Sequence, residues 1–403
     1  MRCAAPGIRN LEESATAMST SPHQSPEGHI LTPTGWVKGH ILSAEGRIVV
    51  IQGTPVPSTA DPAGPYILPG FVDLHVHGGD GVDYTDGEVG IRRVLRFHAA
   101  NGTVAMAPTT GTAPVAVIDQ ALIDIGRIKN HPQSGEPTVL GAHLEGPFIN
   151  PGKLGAQSNQ TLDGDSALAL RWDDLCPLII ATVAPEIPGG GAVIEALTAR
   201  GCRVQIGHSL ATAEETAAGF RRGLAGFTHL FNGMSGLDHR SPGAAAYALA
   251  HGRHAELICD MIHVHPEMIR VAARAIPRLY AISDATALAG CFDGEHGIGT
   301  EGHAIKTGNM IMLANGKSLA GSAITMLDGF RNLVSMGFSI AEASDMCSTR
   351  QAEYLGRSDF GRIAPGAMAS FVVLTPQLEL SSVWVKGRRI VETSGRSSRI
   401  LPP

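Results

Sequence analysis

Between residues 71 and 286 the chain alternates two kinds of segment. Short apolar and β-branched runs recur: FVDLHVH (71–77), TVAMAPT (103–109), VLGAHLEG (139–146), LIIATVAPE (178–186), RVQIGHS (203–209), GFTHLFN (226–232), AELICDMIH (255–263) and LYAISDAT (279–286). Between most of them lie stretches of helical composition, such as PVAVIDQALIDIGRI and TAEETAAGFRRG. Eight strands alternating with helices predict a (β/α)8 TIM-like barrel, placed at 67–358. The two ends read differently. Residues 29–66 and 359–398 consist of short β-type runs broken by Gly and Pro. Their shared style predicts one small discontinuous β-sandwich domain built from both chain ends.

Residues 1–28 are Ser- and Pro-rich and lack an apolar core of the kind a signal peptide carries. They read as a disordered extension, with Met18 as an alternative start to Met1. The 403 residues carry a net charge of −6, which leaves no basic footprint for nucleic acid or an anionic membrane. No apolar run reaches the length of a membrane span. Six cysteines, Cys3, Cys176, Cys202, Cys259, Cys291 and Cys347, form no CxxC pair. Their scatter argues against a disulfide framework or zinc ribbon and for a cytoplasmic protein.

Chemistry gathers where the predicted strands end. PGFVDLHVHGGDG closes the first strand with His75 and His77, and an i, i+2 spacing puts Asp73, His75 and His77 on one face. Taken alone, this pair is as consistent with surface histidines beside a turn as with ligands. The third strand carries His143 and Glu145, the fifth ends in His208, the sixth in His229 and the eighth in Asp284. Barrel active sites lie at that end of the strands. Jointly the residues therefore read as a convergent ligand set. Imidazole and carboxylate without thiolate suit Zn²⁺, Fe²⁺, Mn²⁺ or Co²⁺ in an open hydrolytic site. In the second HVH, His263 closes the seventh strand, while His265 precedes Pro266 and reads as a helix-start residue.

The motifs HLEGPFINPGKLGAQ, IGHSLAT, THLFNGMSGLDHRSPG, ISDAT and LAGSAITMLDGFRNLV resemble those of the N-acetylglucosamine-6-phosphate deacetylases, within the metal-dependent amidohydrolases. The resemblance runs from about residue 29 to the C-terminus. It implies that Glu145, His208 and His229 hold one divalent metal, and that His75 and His77, with Glu145 bridging, hold a second. It also implies phosphate and sugar contacts from the backbone of Asn232 and Gly233 and from Arg240 and His263, with Arg240 reaching across a homodimer. Ala156 and Gln157 fall in the substrate loop, and Gln157 stands where the commoner form has a histidine that contacts the acetamide.

The implied reaction is metal-assisted hydrolysis of an amino-sugar phosphate acetamide, with Asp284 shuttling the proton. Three rivals remain at this level. The first is the same chemistry on N-acetylgalactosamine 6-phosphate. The second is a cyclic amidase or base deaminase, although the fourth strand lacks the lysine that cyclic amidases carboxylate. The third is an inactive metal-binding relative.

Overall fold

The computed structural model describes residues 23–57, 61–297, 303–316, 318–393 and 398–400. Most of the 1–28 stretch, with Cys3 and Met18, lies outside them. Eight parallel strands are present where the alternation placed them: β1 (Phe71–Val76), β2 (Thr103–Thr110), β3 (Ala142–Glu145), β4 (Leu178–Thr182), β5 (Arg203–Ile206), β6 (Gly226–Phe227), β7 (His254–Ile258) and β8 (Arg278–Ile282). Ladders run continuously from β1 to β6, and β7 pairs with β8. Two loop contacts close the ring. The Leu230 N–H donates to the Glu256 carbonyl at 2.9 Å, and Val76 bridges in parallel to Ala285.

Each strand is followed in the chain by a helix, from α1 (Gly87–Ala100), α2 (Val115–Asn130), α3 (Ser166–Leu175) and α4 (Gly190–Ala199) to α5 (Ala213–Arg222), α6 (Ala244–His251), α7 (Pro266–Ala275) and α8 (Met326–Ser335). Local signals fix their ends. Thr212 and Glu215 form a capping box at the start of α5, satisfying backbone donors that the first turn leaves unpaired. His265 caps α7, accepting from the Glu267 N–H just before Pro266, so it is the helix-start residue that the sequence suggested. Val72, Leu74, Ala105, Ala107, Ile180, Ile258, Tyr280 and Ile282 form one cluster from five strands around the ring. That cluster fills the barrel as a packed core.

The end strands form one hydrogen-bonded sheet of nine strands. It joins the two chain ends where Tyr66–Pro69 pairs antiparallel with Phe371–Leu374. Both faces are buried. Ile67, Phe371 and Val373 pack into the sheet's own core with Ile30, Ile41 and Trp384. The alternate residues Tyr66, Leu68, Val372 and Leu374 pack into the large barrel core. A period of two buried on both sides explains why YILP is apolar throughout. The sheet reaches back to His23–Gln24, which pairs with Leu42 and Ser43 inside the stretch read as an extension.

One element was not anticipated. Between β8 and α8 the chain inserts a four-stranded antiparallel sheet, Gly294–Gly297, His303–Thr307, Met310–Leu313 and Leu319–Ser322. Its core of Leu288, Ala304, Ile311 and Ala320 packs against Ala156.

Phe371 stacks on Trp384 with ring centroids 5.3 Å apart and planes at 18°. Truncating a buried Phe removes its transfer energy and leaves a cavity, about 3–5 kcal/mol together. Urea unfolding of Phe371→Ala is expected to show a loss of that size. A loss below about 1 kcal/mol would mean that this seam carries little of the stability.

Candidate metal centre at the barrel mouth

Six side chains converge where β1, β3, β5, β6 and β8 end. Glu145 is at the centre. Its Oε1 lies 2.9 Å from His229 Nε2, 3.1 Å from His208 Nε2 and 3.4 Å from His75 Nε2, and its Oε2 lies 3.1 Å from His77 Nε2. His208 Nε2 and His229 Nε2 are 3.0 Å apart. Asp284 Oδ1 is 3.4 Å from both His75 Nε2 and His77 Nε2. The donors thus fall into two triads, Glu145–His208–His229 and His75–His77–Asp284.

The backbone is bent to hold them. His208, His229 and Asp284 all have positive φ, at 48°, 26° and 49°. Non-glycine residues occupy that region at a cost of order 1–3 kcal/mol each, typically at functional sites. In β1 a register irregularity between Asp73 and Val76 interrupts the alternation. Asp73 therefore does not share the face of His75 and His77. It accepts from the Ser283 hydroxyl at 2.5 Å, and burial pushes its carboxyl up to about 6. A bulge re-aims what a regular strand would have kept in line.

Tautomers follow from the outer hydrogen bonds. His208 Nδ1–H donates to the Lys153 carbonyl at 2.8 Å, leaving Nε2 as a bare lone pair toward Glu145. His75 Nδ1–H donates to Glu256 at 2.9 Å, so its Nε2 also faces inward. His229 Nδ1 is buried without a hydrogen-bond partner among the described residues. Lone pairs and carboxylate oxygens about 3 Å apart repel unless a cation or protons lie between them. Ligands roughly 2.0–2.2 Å from one shared ion adopt such spacings. The donor set therefore fits a divalent metal.

The electrostatics agree. Burial alone would raise the Glu145 carboxyl, but positive charge on the surrounding imidazoles, His75 first, holds it well below the usual range. Burial opposes charge on His77, yet Asp284 and Glu145 draw its imidazole up to about 9. His75 is raised well above its ordinary value against the same penalty, by Glu145, Asp284 and Glu256. Asp284, against its own burial, is held at about 2 by His75 and His77.

The other expected site residues are placed as follows. Gln157 donates to Glu145 Oε2 at 2.5 Å and accepts from the Thr112 N–H at 2.6 Å, so it is fastened to the cluster. Gly233 has φ +57°, and a Cβ there would stand 3.0 Å from His208 Nδ1, so glycine relieves backbone strain and leaves the ring its place. The Asn232 N–H is turned inward to the His229 carbonyl at 3.0 Å. That leaves Asn232 without the open backbone donor expected of it. His263 is held by Asp260 at 2.6 Å and raised, its burial outweighed by that bond and charge. Arg240 is exposed, in a turn where Asp238 accepts its N–H. His143 is buried behind the cluster, both ring nitrogens taken by the Leu74 carbonyl and the Thr182 hydroxyl.

Two residues went unnoticed in the sequence. Asp260 is the acid that holds His263. Glu256 sits fully buried in β7, and a carboxylate in an apolar strand run is itself a signal, because buried acids require partners.

The sequence pattern of the amidohydrolase family matches residues 66–390. The chain belongs to the amidohydrolase family. Metal dependence goes with that family. The chain is 36% identical, over 89% of its length and 97% of the relative, to N-acetylgalactosamine-6-phosphate deacetylase of Escherichia coli O157:H7. It is 34% identical to N-acetylglucosamine-6-phosphate deacetylase of Vibrio furnissii, over 89% of this chain and 92% of that one. Among solved structures, a variant N-acetyl-D-glucosamine-6-phosphate deacetylase of Mycobacterium smegmatis, in complex with N-acetyl-D-glucosamine-6-phosphate, superposes with a TM-score of 0.84 at 28% identity. The superposition covers 92% of this chain and 99% of that one. The Thermotoga maritima deacetylase gives 0.81 at 28%, covering 92% and 100%. Among the described residues no helix is long and apolar enough to cross a membrane.

At pH 7 the metal-free protein carries protons on His75 and His77, which an entering cation must displace. Titrating Zn²⁺ into it, by calorimetry in buffers of different ionisation enthalpy, is expected to show net proton release. Apparent affinity should rise with pH through about 9, where His77 loses its proton unaided, because His75, raised in the same direction, must give up its proton as well. Binding without proton release at pH 7 would contradict this charge assignment.

Proposed function

We propose that the chain hydrolyses the acetamide of N-acetylglucosamine 6-phosphate, giving glucosamine 6-phosphate and acetate. The observation that carries this reading is the Glu145-centred cluster with the Asp284 carboxylate beside it, in a chain resembling sugar-phosphate deacetylases over about nine-tenths of its length. Glu145, His208 and His229 would hold one divalent ion, and His75 and His77, with Glu145 between the pairs, a second. Such an ion supplies a Lewis acid for the amide carbonyl and lowers the pKa of water from 15.7 to roughly 7.

The rest is the work of the chain's own side chains. The Asp284 and His77 side chains are 10% and 14% exposed, against 2% for Glu145, so they form the face that substrate meets. Asp284 stays ionised at neutral pH. It takes the proton of the attacking water and returns it to the departing amine nitrogen, as base and then acid. His263 is held by Asp260, whose charge and hydrogen bond favour the protonated imidazole, the form suited to the substrate phosphate. Gln157 is already bonded to Glu145, so its role is to hold that carboxylate as much as to meet the acetamide.

Arg240 suits a site completed by a second copy of the chain. Its loop projects outward, and Leu237, Leu210, Met261 and Ile262 expose apolar surface on the loops after β5, β6 and β7. A homodimer would cover that surface and bring each Arg240 to its neighbour's phosphate. A cytoplasmic location is consistent with five free cysteines among the described residues.

A second reading rests on a specific observation. The E. coli relative, at 36% identity, acts by its name on the galactosamine epimer, and a two-point difference in identity does not separate one hydroxyl stereocentre. Acetate release measured side by side on the two 6-phosphorylated sugars decides between them. A higher kcat/KM on the glucosamine epimer supports the proposal, a higher value on the galactosamine epimer supports the second reading, and release from neither refutes both.

Asp284→Asn is expected to keep fold and metal while kcat falls by roughly three orders of magnitude or more, since the amide cannot carry the proton. Near-wild-type turnover would remove Asp284 from that role. Arg240→Ala is expected to raise KM for the 6-phosphorylated sugar roughly thirtyfold or more, the lower end of the 2–5 kcal/mol that losing one partner of a charged pair costs. An unchanged KM, or a monomeric mass by sedimentation, would refute the trans arginine.

A further inference from the structure

Glu256 lies at the centre of the barrel's buried polar groups and has no part in the chemistry described so far. Its side chain is wholly buried. Oε2 accepts from His75 Nδ1–H at 2.9 Å and from the His229 backbone N–H at 3.3 Å. Oε1 accepts from the Tyr280 hydroxyl at 3.4 Å. Tyr280 in turn accepts from the Gln205 amide at 2.8 Å, and Gln205 also donates to Tyr354. A carboxylate without access to water is thus fastened on both oxygens.

Glu256 also belongs to a donor group with His75 and His143. That group is no third metal site. Both nitrogens of His143 are engaged, and the His75 nitrogen nearest Glu256 already donates to it. What Glu256 does is indirect. By accepting from Nδ1 it fixes the His75 ring and leaves Nε2 as the donor toward Glu145, His77 and Asp284. By accepting from the His229 N–H it grips the backbone of the other triad, at a residue whose φ of 26° is unfavourable without support.

We infer that Glu256 is the positioning residue that makes His75 an Nε2 metal donor and ties the two donor triads together. The inference rests on the reading of His75 and His77 as ligands. A carboxylate behind a ligand imidazole fixes its orientation and raises its basicity, and losing such a partner typically costs 10–100-fold in metal affinity.

The test is competitive Zn²⁺ titration of the chelator-stripped enzyme against a chromophoric chelator, with melting temperature followed in parallel. Four proteins are compared: wild type, Glu256→Gln, Tyr280→Phe and the double variant His75→Ala/His77→Ala. The double variant should lose one of two ions. Glu256→Gln keeps the shape and loses the charge, so it should bind that same ion roughly 10–100-fold more weakly. The ion at Glu145, His208 and His229 should change less. Tyr280→Phe removes the donor on Oε1 and should weaken the same ion in the same direction, which keeps the test sound if Glu256→Gln does not fold. A lower melting point with unchanged affinity in the folded variants would mean a structural role and overturn the inference. If the double variant keeps the wild-type metal ratio, the two-ion reading fails and the inference falls with it. If the double variant loses an ion and Glu256→Gln binds both as wild type does, the inference alone fails.

Discussion

A single buried carboxylate, Glu145, faces four imidazoles at 2.9–3.4 Å. Neutral imidazole lone pairs directed at an anion are held there only with positive charge among them. In the metal-free protein that charge comes from protons on His75 and His77, and a divalent ion would replace them. The rest of the site follows from this requirement. Its residues come from five different strands, so no local segment can form the cluster, and only the closed ring brings them within reach. Three of its members also hold left-handed backbone that the surrounding barrel must support.

That support has identifiable parts. The strand Tyr66–Pro69 of the end sheet runs into β1 through Gly70, where a Cβ would meet Val104 at 2.4 Å. Gly70 donates to the Ser370 carbonyl and accepts from Ser348. The approach of His75 and His77 is thus set by a sheet that has no part in the chemistry. Behind the candidate ligands, Lys153 and Glu256 fix two tautomers and Gln157 holds the carboxylate. The outer contacts decide which atoms face the ion, as is general for metal sites.

Much of this is legible in the sequence, for physical reasons. Parallel strands buried on both faces leave continuous apolar runs, and helices between them leave a different composition, so the barrel and its order are visible. The candidate ligands at strand ends are visible because the histidines interrupt those runs. The four-stranded insert was missed because its strands are short and its buried residues mostly Ala, a weak strand signal. Asp73 was misplaced because a bulge leaves no mark in a period-two pattern. Glu256 stands as one charge inside AELIC, and complete burial with partners is what an acid in such a run entails. Whether Arg240 completes a neighbour's site depends on a second chain, which a single chain's pattern does not encode.

The most direct measurement is the metal-to-protein ratio of purified Glu145→Gln beside the wild type, by elemental analysis after extensive dialysis. A neutral amide cannot balance the charge that four imidazoles and an ion demand, and it is a poorer ligand. Substantial loss of bound metal, with the fold intact by circular dichroism, is the predicted result. Full wild-type occupancy in the folded variant would contradict the central place given to Glu145.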